Sequence, residues 1–230
     1  MSYTREEIIS KCNNALEDVS NFYKHKFINY RGRTKDTNEI YSEIVAEFVC
    51  DNILIFQSIP SITREATYRV KSHDGVYSEN SNRLEEITAM QMFNYCKGGS
   101  EYDFIGRVID YQTPLKNRRG DVSGKIDLLS VLNETVFILE LKKEDSNETM
   151  LKCVLEGFTY LKTIDTQKLK LDFELDRIEK FVACPLVFKG REQWKEMQED
   201  RPQLKRLIKL LDSVPYYVTV EDNKYIITED

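Results

Sequence analysis

Residues 124–142 read GKIDLLSVLNETVFILELK, and this stretch decides the fold. Both halves are rich in Val, Ile, Leu and Phe, which predicts β-strands over residues 124–132 and 135–142. Between them lie Asn133 and Glu134, a pair short enough to form a two-residue hairpin turn. The turn is the weak point, because Glu is a poor second residue for a type I′ turn and a longer loop would shift the register.

Three charged residues, Asp127, Glu140 and Lys142, interrupt these apolar runs, where an uncompensated charge is costly. With a two-residue loop, Asp127 lies directly opposite Glu140, and opposed Cβ atoms are about 4.5–5.5 Å apart. Glu140 and Lys142 fall on the same strand face. Carboxylate oxygens at this spacing suit Mg²⁺ or Mn²⁺, and a nearby Lys suits phosphate chemistry. The alternative is a buried hairpin whose charges end at a solvent edge.

The segments 124–129 and 140–142 resemble the PD-(D/E)xK nuclease superfamily, whose core is restriction-endonuclease-like. The Pro that names the motif is absent, because Val122 and Ser123 occupy that neighbourhood. The resemblance extends over residues 80–190. It implies a metal-dependent nuclease that hydrolyses phosphodiester bonds of DNA.

Within this resemblance, the carboxylates of Asp127 and Glu140 would bind Mg²⁺ or Mn²⁺, and Lys142 would position water or stabilise the transition state. The family often has a Q-x-x-x-Y pattern on the next helix. Here Glu156 and Tyr160 keep that spacing with Glu in place of Gln, and both would support the site. The family commonly adds an acidic metal ligand from an earlier helix. Here Glu86 is slightly preferred over Glu85 for that position.

Two alternatives stay open. Some members of the superfamily lack activity, so the chain could be a binding or assembly module that kept the nuclease fold. The other alternative is a nuclease whose substrate is RNA and not DNA. Cleavage of both DNA strands would favour a homodimer, an inference from the symmetry of the reaction.

The formal net charge of −6 is awkward for a nucleic-acid binder, since phosphate contacts require clustered Lys and Arg. Lys116-Asn117-Arg118-Arg119, just before the first hairpin strand, is the best basic cluster. Arg118 and Arg119 are therefore the candidate phosphate contacts. The alternative is an ordinary solvated loop.

Composition bounds the remaining classes of function. Hydrophobic residues make up 41% of the chain and charged residues 31%, which suits a protein with a substantial core. No apolar run reaches the ~18 residues of a membrane span, and the N-terminus lacks the apolar core of a signal peptide, so a cytoplasmic location is expected. The five cysteines are scattered without a C-x-x-C pair, which favours reduced, buried thiols.

The order of elements predicts an α/β fold, with a mixed central sheet flanked by helices and an N-terminal helical extension. The extension would cover residues 1–60 and the nuclease core residues 61–230. The predicted helices cover residues 4–24, 37–57, 83–96, 148–163 and 190–212, the last interrupted near Pro202. Further strands are predicted over 65–72, 102–113, 181–188, 216–220 and 224–228, with Pro185 indicating an edge or a bulge.

Overall fold

The computed structural model describes residues 2–78, 81–115 and 124–229. Over these ranges the chain forms one six-stranded mixed sheet and eight α-helices. The predicted α/β fold with a helical N-terminal part is therefore confirmed. The strands are β1 (Arg107–Pro114), β2 (Lys125–Leu132), β3 (Thr135–Leu141), β4 (Lys180–Phe188), β5 (Tyr216–Glu221) and β6 (Lys224–Thr228).

The strands lie side by side in chain order, from β1 to β6. The first three form an antiparallel meander, β3, β4 and β5 run parallel, and β6 closes an antiparallel hairpin with β5. Leu132 pairs with Thr135, so the predicted two-residue loop and its register are confirmed. Asn133 supplies the positive φ of 53° in that turn, a conformation that Asn tolerates better than most residues.

Helices cover both faces of the sheet. One buried cluster joins α1, α2, α5 and α8 to sheet residues such as Leu129 and Ile138, and a second joins α4 to residues such as Leu128 and Leu139. Because side chains alternate along β2 and β3, these strands contribute to two hydrophobic cores, one on each face of the sheet. The α-helices are α1 (Arg5–Ala15), α2 (Tyr41–Asp51), α3 (Ile53–Gln57), α4 (Leu84–Lys97), α5 (Met150–Thr163), α6 (Thr166–Phe173), α7 (Glu192–Gln198) and α8 (Pro202–Leu210).

The first 60 residues join the core on the α5 face of the sheet. Ile8, Phe22 and Val49 belong to the same buried cluster as Leu129 of β2. At the start of α1, the Thr4 and Glu7 side chains accept each other's backbone N–H groups in the predicted capping box. The boundary at residue 60 stays a prediction.

Several predicted elements differ from the structure. The helix over 4–24 ends at Ala15 and continues as a 3₁₀ segment, Leu16–Lys24, with a kink at Asp18. The helix over 37–57 begins at Tyr41 and splits into α2 and α3.

The prediction of a strand over residues 65–72 is wrong. The N–H of Tyr68 donates to the Asp172 carboxylate, and its hydroxyl accepts from the N–H of Asp165, so the segment is tied to α6 rather than to the sheet. The edge position for Pro185 is wrong as well, because β4 is an interior strand. Pairing with β5 begins only at Leu186, which leaves Pro185 outside that ladder and explains how a residue without an N–H is tolerated.

Gly157 on α5 offers a test of how closely this helix packs on the sheet. A Cβ added there would lie 3.5 Å from the Cβ of Glu140 and 3.7 Å from that of Ala183, which is ordinary contact. We expect Gly157→Ala to raise the free energy of unfolding by up to about 1 kcal/mol through helix propensity. Gly157→Leu should lower it by about 1–3 kcal/mol, since a longer side chain would push α5 from the sheet.

Chemical denaturation of the two variants and the wild type measures this difference. The alanine variant is the matched control for the leucine variant. Equal stability of the two would contradict the close packing of α5 on β3.

Candidate active site

The charged residues of the hairpin meet at the carboxyl end of β3. Glu140 lies near the end of that strand, and Lys142 follows it, with its N–H donating to the carbonyl of Leu186 on β4 at 3.1 Å. The helix α5 covers this end from one side, and Gly157 allows it to come close to Glu140. The sheet and α5 together therefore hold these side chains in a largely buried position.

Lys142 is the centre of the arrangement. Its side chain is 7% exposed, and its ammonium contacts three carboxylates. Nζ lies 2.6 Å from Oε1 of Glu140, 2.7 Å from Oε2 of Glu148 and 3.3 Å from Oε2 of Glu156. An ammonium has three protons to donate, so these three acceptors satisfy it.

Glu156 on α5 is held from two further directions. Nζ of Lys152, one helical turn earlier, lies 2.7 Å from its Oε2, and the hydroxyl of Tyr160 donates to its Oε1 at 2.8 Å. Lys152 also lies over the ring of Tyr23, with 4.4 Å between Nζ and the ring centroid. The Glu156 to Tyr160 spacing noted in the sequence is thus a direct hydrogen bond, and Lys152 neutralises part of the charge that Glu adds.

Asp127 is held by β1 and β3. Nε2 of Gln112 donates to its Oδ1 at 2.8 Å, and the N–H of Leu141 donates to its Oδ2 at 3.0 Å. Gln112 has a φ of 47°, a left-handed conformation that costs energy for a residue with a side chain. Gln112 thus combines a strained backbone conformation with a side-chain hydrogen bond to Asp127.

Helix α4 contributes an acidic residue near its start. Oε1 of Glu85 accepts from the N–H of Lys143 at 3.0 Å, directly after Lys142. The slightly preferred Glu86 pairs with Arg83, with 3.2 Å between Nη1 and Oε2. Glu85 therefore lies at the site, whereas Glu86 pairs with Arg83, the N-cap residue of the same helix.

The proton affinities reflect burial and this crowding of carboxylates. Burial, opposed by Lys142 and reinforced by Glu85 and Glu156, raises the pKa of Asp127 to about 7. Burial also raises the pKa of Glu140 well above its usual range, although Lys142 opposes the shift. At pH 7 the cluster therefore holds protons that ordinary carboxylates would have lost.

The basic partners shift two other groups. Burial alone would lower the pKa of Lys142, but Glu140, Glu156 and Glu148 raise it, so the ammonium stays protonated. Burial alone would raise the pKa of Glu156, but Lys142 and Lys152 lower it to about 2. Glu156 therefore stays ionised near neutral pH, whereas Asp127 and Glu140 have an increased affinity for protons.

A cavity of about 510 Å³ opens beside the cluster. Glu85, Lys142, Glu148 and Glu156 line it, and so do residues of the segment before α5 such as Asn147. This volume is within the range of small-ligand sites. Solvent and a small ligand can thus reach Lys142 and Glu156 from this side.

One observation tests whether a divalent cation fits. Oε2 of Glu140 is buried and has no hydrogen-bond partner among the described residues, which is costly unless a cation or a proton satisfies it. Hard oxygen donors of Asp127, Glu140 and Glu85 are the type that Mg²⁺ and Mn²⁺ prefer. Across residues 2–78, 81–115 and 124–229, however, no three His, Cys, Asp or Glu side chains form a metal-binding group. Glu140 and Asp127 instead accept from Lys142 and Gln112.

The structure thus places Asp127, Glu140, Lys142, Glu156 and Tyr160 in one neighbourhood, and their roles stay predictions. Arg118 and Arg119 lie outside the described residues. The site residues that sequence reasoning missed are Lys152, Gln112 and Glu148. Only Lys152 carried a readable signal, because it precedes Glu156 by four residues on a predicted helix.

Other features bear on the function classes. All five cysteines are free and buried, as expected, which leaves none exposed as a nucleophile. Among the helices in the described ranges, none has the length and apolar character that a membrane crossing needs. No family model matches the sequence, and comparisons with curated proteins and with solved structures give no significant match. The geometry of the site therefore carries the functional argument.

The raised pKa of Asp127 predicts a pH-dependent stability. The folded state binds a proton more tightly than the unfolded state, from a pKa of 3.8 to about 7, so stability falls as the pH rises through that window. Asp127→Asn removes this loss. Its amide can still accept from Leu141, and the Gln112 amide can turn to accept from it. We expect Asp127→Asn to gain about 1 kcal/mol or more over the wild type between pH 4.5 and pH 8.

Urea denaturation at both pH values measures the gain. Asp200→Asn, at an exposed position, is the control and should show no such change. If Asp127→Asn and the wild type keep the same stability difference at both pH values, Asp127 does not hold a proton at neutral pH.

Proposed function

We propose that the chain is a metal-dependent nuclease that hydrolyses phosphodiester bonds of DNA through Asp127, Glu140 and Lys142. The observation that carries the proposal is a buried cluster with more carboxylates than ammonium groups, in which Oε2 of Glu140 has no partner. An uncompensated acid at the end of a sheet, beside a cavity, is costly to keep without a use. The resemblance of residues 124–142 to the PD-(D/E)xK superfamily supplies the substrate class.

The roles of the residues follow from their positions. Asp127 and Glu140 would hold Mg²⁺ or Mn²⁺, with Glu85 as the third acidic group. When bound, such an ion lowers the pKa of a water and offsets negative charge on phosphate. The ammonium of Lys142 is protonated and lines the cavity, so it can stabilise charge that develops on the phosphorus oxygens.

Glu156 and Tyr160 act behind Lys142. Glu156 contacts the ammonium of Lys142 and is itself fixed by Lys152 and by the Tyr160 hydroxyl. Fixed partners keep the ammonium of Lys142 in one place, which a precise site requires. The same proposal includes DNA in preference to RNA as the substrate, a homodimer and a cytoplasmic location.

A second candidate function is a binding or assembly module without activity. It is favoured by the absence, within the described residues, of a formed metal-binding group. It is also favoured by the three carboxylates that already satisfy Lys142. Both candidates use the same fold, so only measurements at this site separate them.

Cleavage assays test the first candidate. We expect the wild type to cut circular or linear DNA in Mn²⁺ or Mg²⁺, and Lys142→Ala to lose at least about 100-fold in rate. Lys180→Ala is the matched control, because this exposed ammonium pairs with Asp212, does not line the cavity and should be dispensable. Circular dichroism of both variants separates lost chemistry from lost folding.

Equal cutting by the wild type and Lys142→Ala would assign the activity to another site or to a contaminant. No metal-dependent cutting of single- or double-stranded DNA or RNA by the folded wild type would favour the binding module.

Metal-dependent thermal stability tests the ligands without relying on activity. A cation that binds only the folded state raises Tm. We expect Mn²⁺ to raise the Tm of the wild type, and the rise to disappear in Glu140→Gln and shrink in Glu85→Gln. Glu86→Gln should keep the rise, because Glu86 pairs with Arg83. A rise of the same size in Glu140→Gln would place the metal elsewhere.

A further inference from the structure

A second polar arrangement lies on β1, outside the hairpin site. Nδ1 of His73 is 2.7 Å from Oδ1 of Asp110, and the hydroxyl of Thr113 donates to Oδ2 of Asp110 at 2.7 Å. Asp110 is buried, 4% exposed, and both its oxygens are engaged. Because the carboxylate needs a donor, the proton of His73 sits on Nδ1, and Nε2 is left for another partner.

The imidazole of His73 is held in one orientation. Its ring stacks on Tyr111, with 4.4 Å between ring centroids, and the hydroxyl of Tyr111 accepts from the N–H of Gly75 at 3.1 Å. The contacts with Asp110 and Tyr111 hold the His73 side chain in one rotamer before any ligand binds. Such preorganisation is typical of binding sites and lowers the entropic cost of recognition.

His73 and Asp110 line a cavity of about 570 Å³. Three basic side chains, Arg69, Lys97 and Arg107, line the same cavity. The acidic side chains in its lining are Glu101 and Asp110, and Asp110 is already committed to His73 and Thr113. The lining thus holds three basic and two acidic side chains, and Arg69 also pairs with Glu174 at 3.4 Å, so Lys97 and Arg107 are the cations left to meet an anion.

The rest of the lining is apolar. The rings of Phe93 and Phe173 and the side chains of Val70, Val108 and Leu175 contribute to it. A volume of this size accommodates a ligand larger than phosphate alone. The cavity therefore combines cationic groups for a phosphate with aromatic and aliphatic surface for a planar ring.

We propose that this cavity binds a nucleoside monophosphate, either free or as the phosphorylated end of a nucleic-acid strand. The phosphate would meet Arg107 and Lys97, the base would lie against the apolar lining, and His73 would lie in the wall of the occupied cavity. The site goes beyond the proposed nuclease activity and uses none of the residues at the hairpin.

The two histidines of the chain make the test direct. Imidazole signals of ¹⁵N-labelled protein are followed by NMR, with adenosine 5′-monophosphate as the free ligand and a 5′-phosphorylated DNA oligonucleotide as the strand end. We expect saturable shifts of the His73 signals, with His25, which is outside this cavity, as the internal reference. Adenosine without phosphate should shift His73 less.

Arg107→Gln removes an exposed cation at the cavity and should weaken binding about tenfold, the effect of one lost charge-assisted contact. Lys71→Gln removes the same charge from an exposed position nearby that does not line the cavity, and should bind as the wild type does. Shifts with only one of the two ligands would identify the form that is recognised. Unchanged His73 signals with both, equal shifts of His25, or equal binding by Arg107→Gln would overturn the proposal.

Discussion

The buried ammonium of Lys142 is the interaction on which this end of the molecule depends. It joins Glu140 at the end of β3, Glu156 on α5 and Glu148 in the segment between them. Removing one partner from a buried ion pair usually destabilises a protein more than the pair stabilises it, because a lone charge is left in a poor solvent. The same contacts therefore set the local fold and the chemistry that the site can perform.

Charge balance then constrains what else the site can hold. Among the described residues, two ammonium groups, those of Lys142 and Lys152, face four carboxyl groups, those of Asp127, Glu140, Glu148 and Glu156. Burial and the neighbouring carboxylates raise the pKa of Asp127 and Glu140, so protons can meet part of this surplus. A divalent cation would meet the same surplus and would have to displace those protons, so its affinity rises with pH through the range in which Asp127 titrates.

The sequence predicted the parts of the fold and site that follow from local periodicity. Two apolar runs and a two-residue loop placed Asp127 and Glu140 on paired strands, and the register of Leu132 with Thr135 confirms the loop. The contribution of Gln112 could not be predicted, because it requires a positive φ that no local pattern indicates for Gln. The wrongly predicted strand over 65–72 also depends on a distant residue, since the Asp172 carboxylate on α6 accepts from the backbone N–H of Tyr68.

The carboxylate at position 156 shows why the surplus matters. A neutral side chain there would leave Glu140 and Glu148 as the carboxyl groups in contact with Lys142, whereas Glu156 adds a third. Lys152 offsets the added charge, and the pKa of Glu156 falls to about 2, so it cannot be relieved by protonation near neutral pH. A phosphate that approaches Lys142 from the cavity must therefore replace one of three carboxylates. Glu148 is the one with the least to lose, because its side chain is 33% exposed and can return to water, whereas Glu140 cannot.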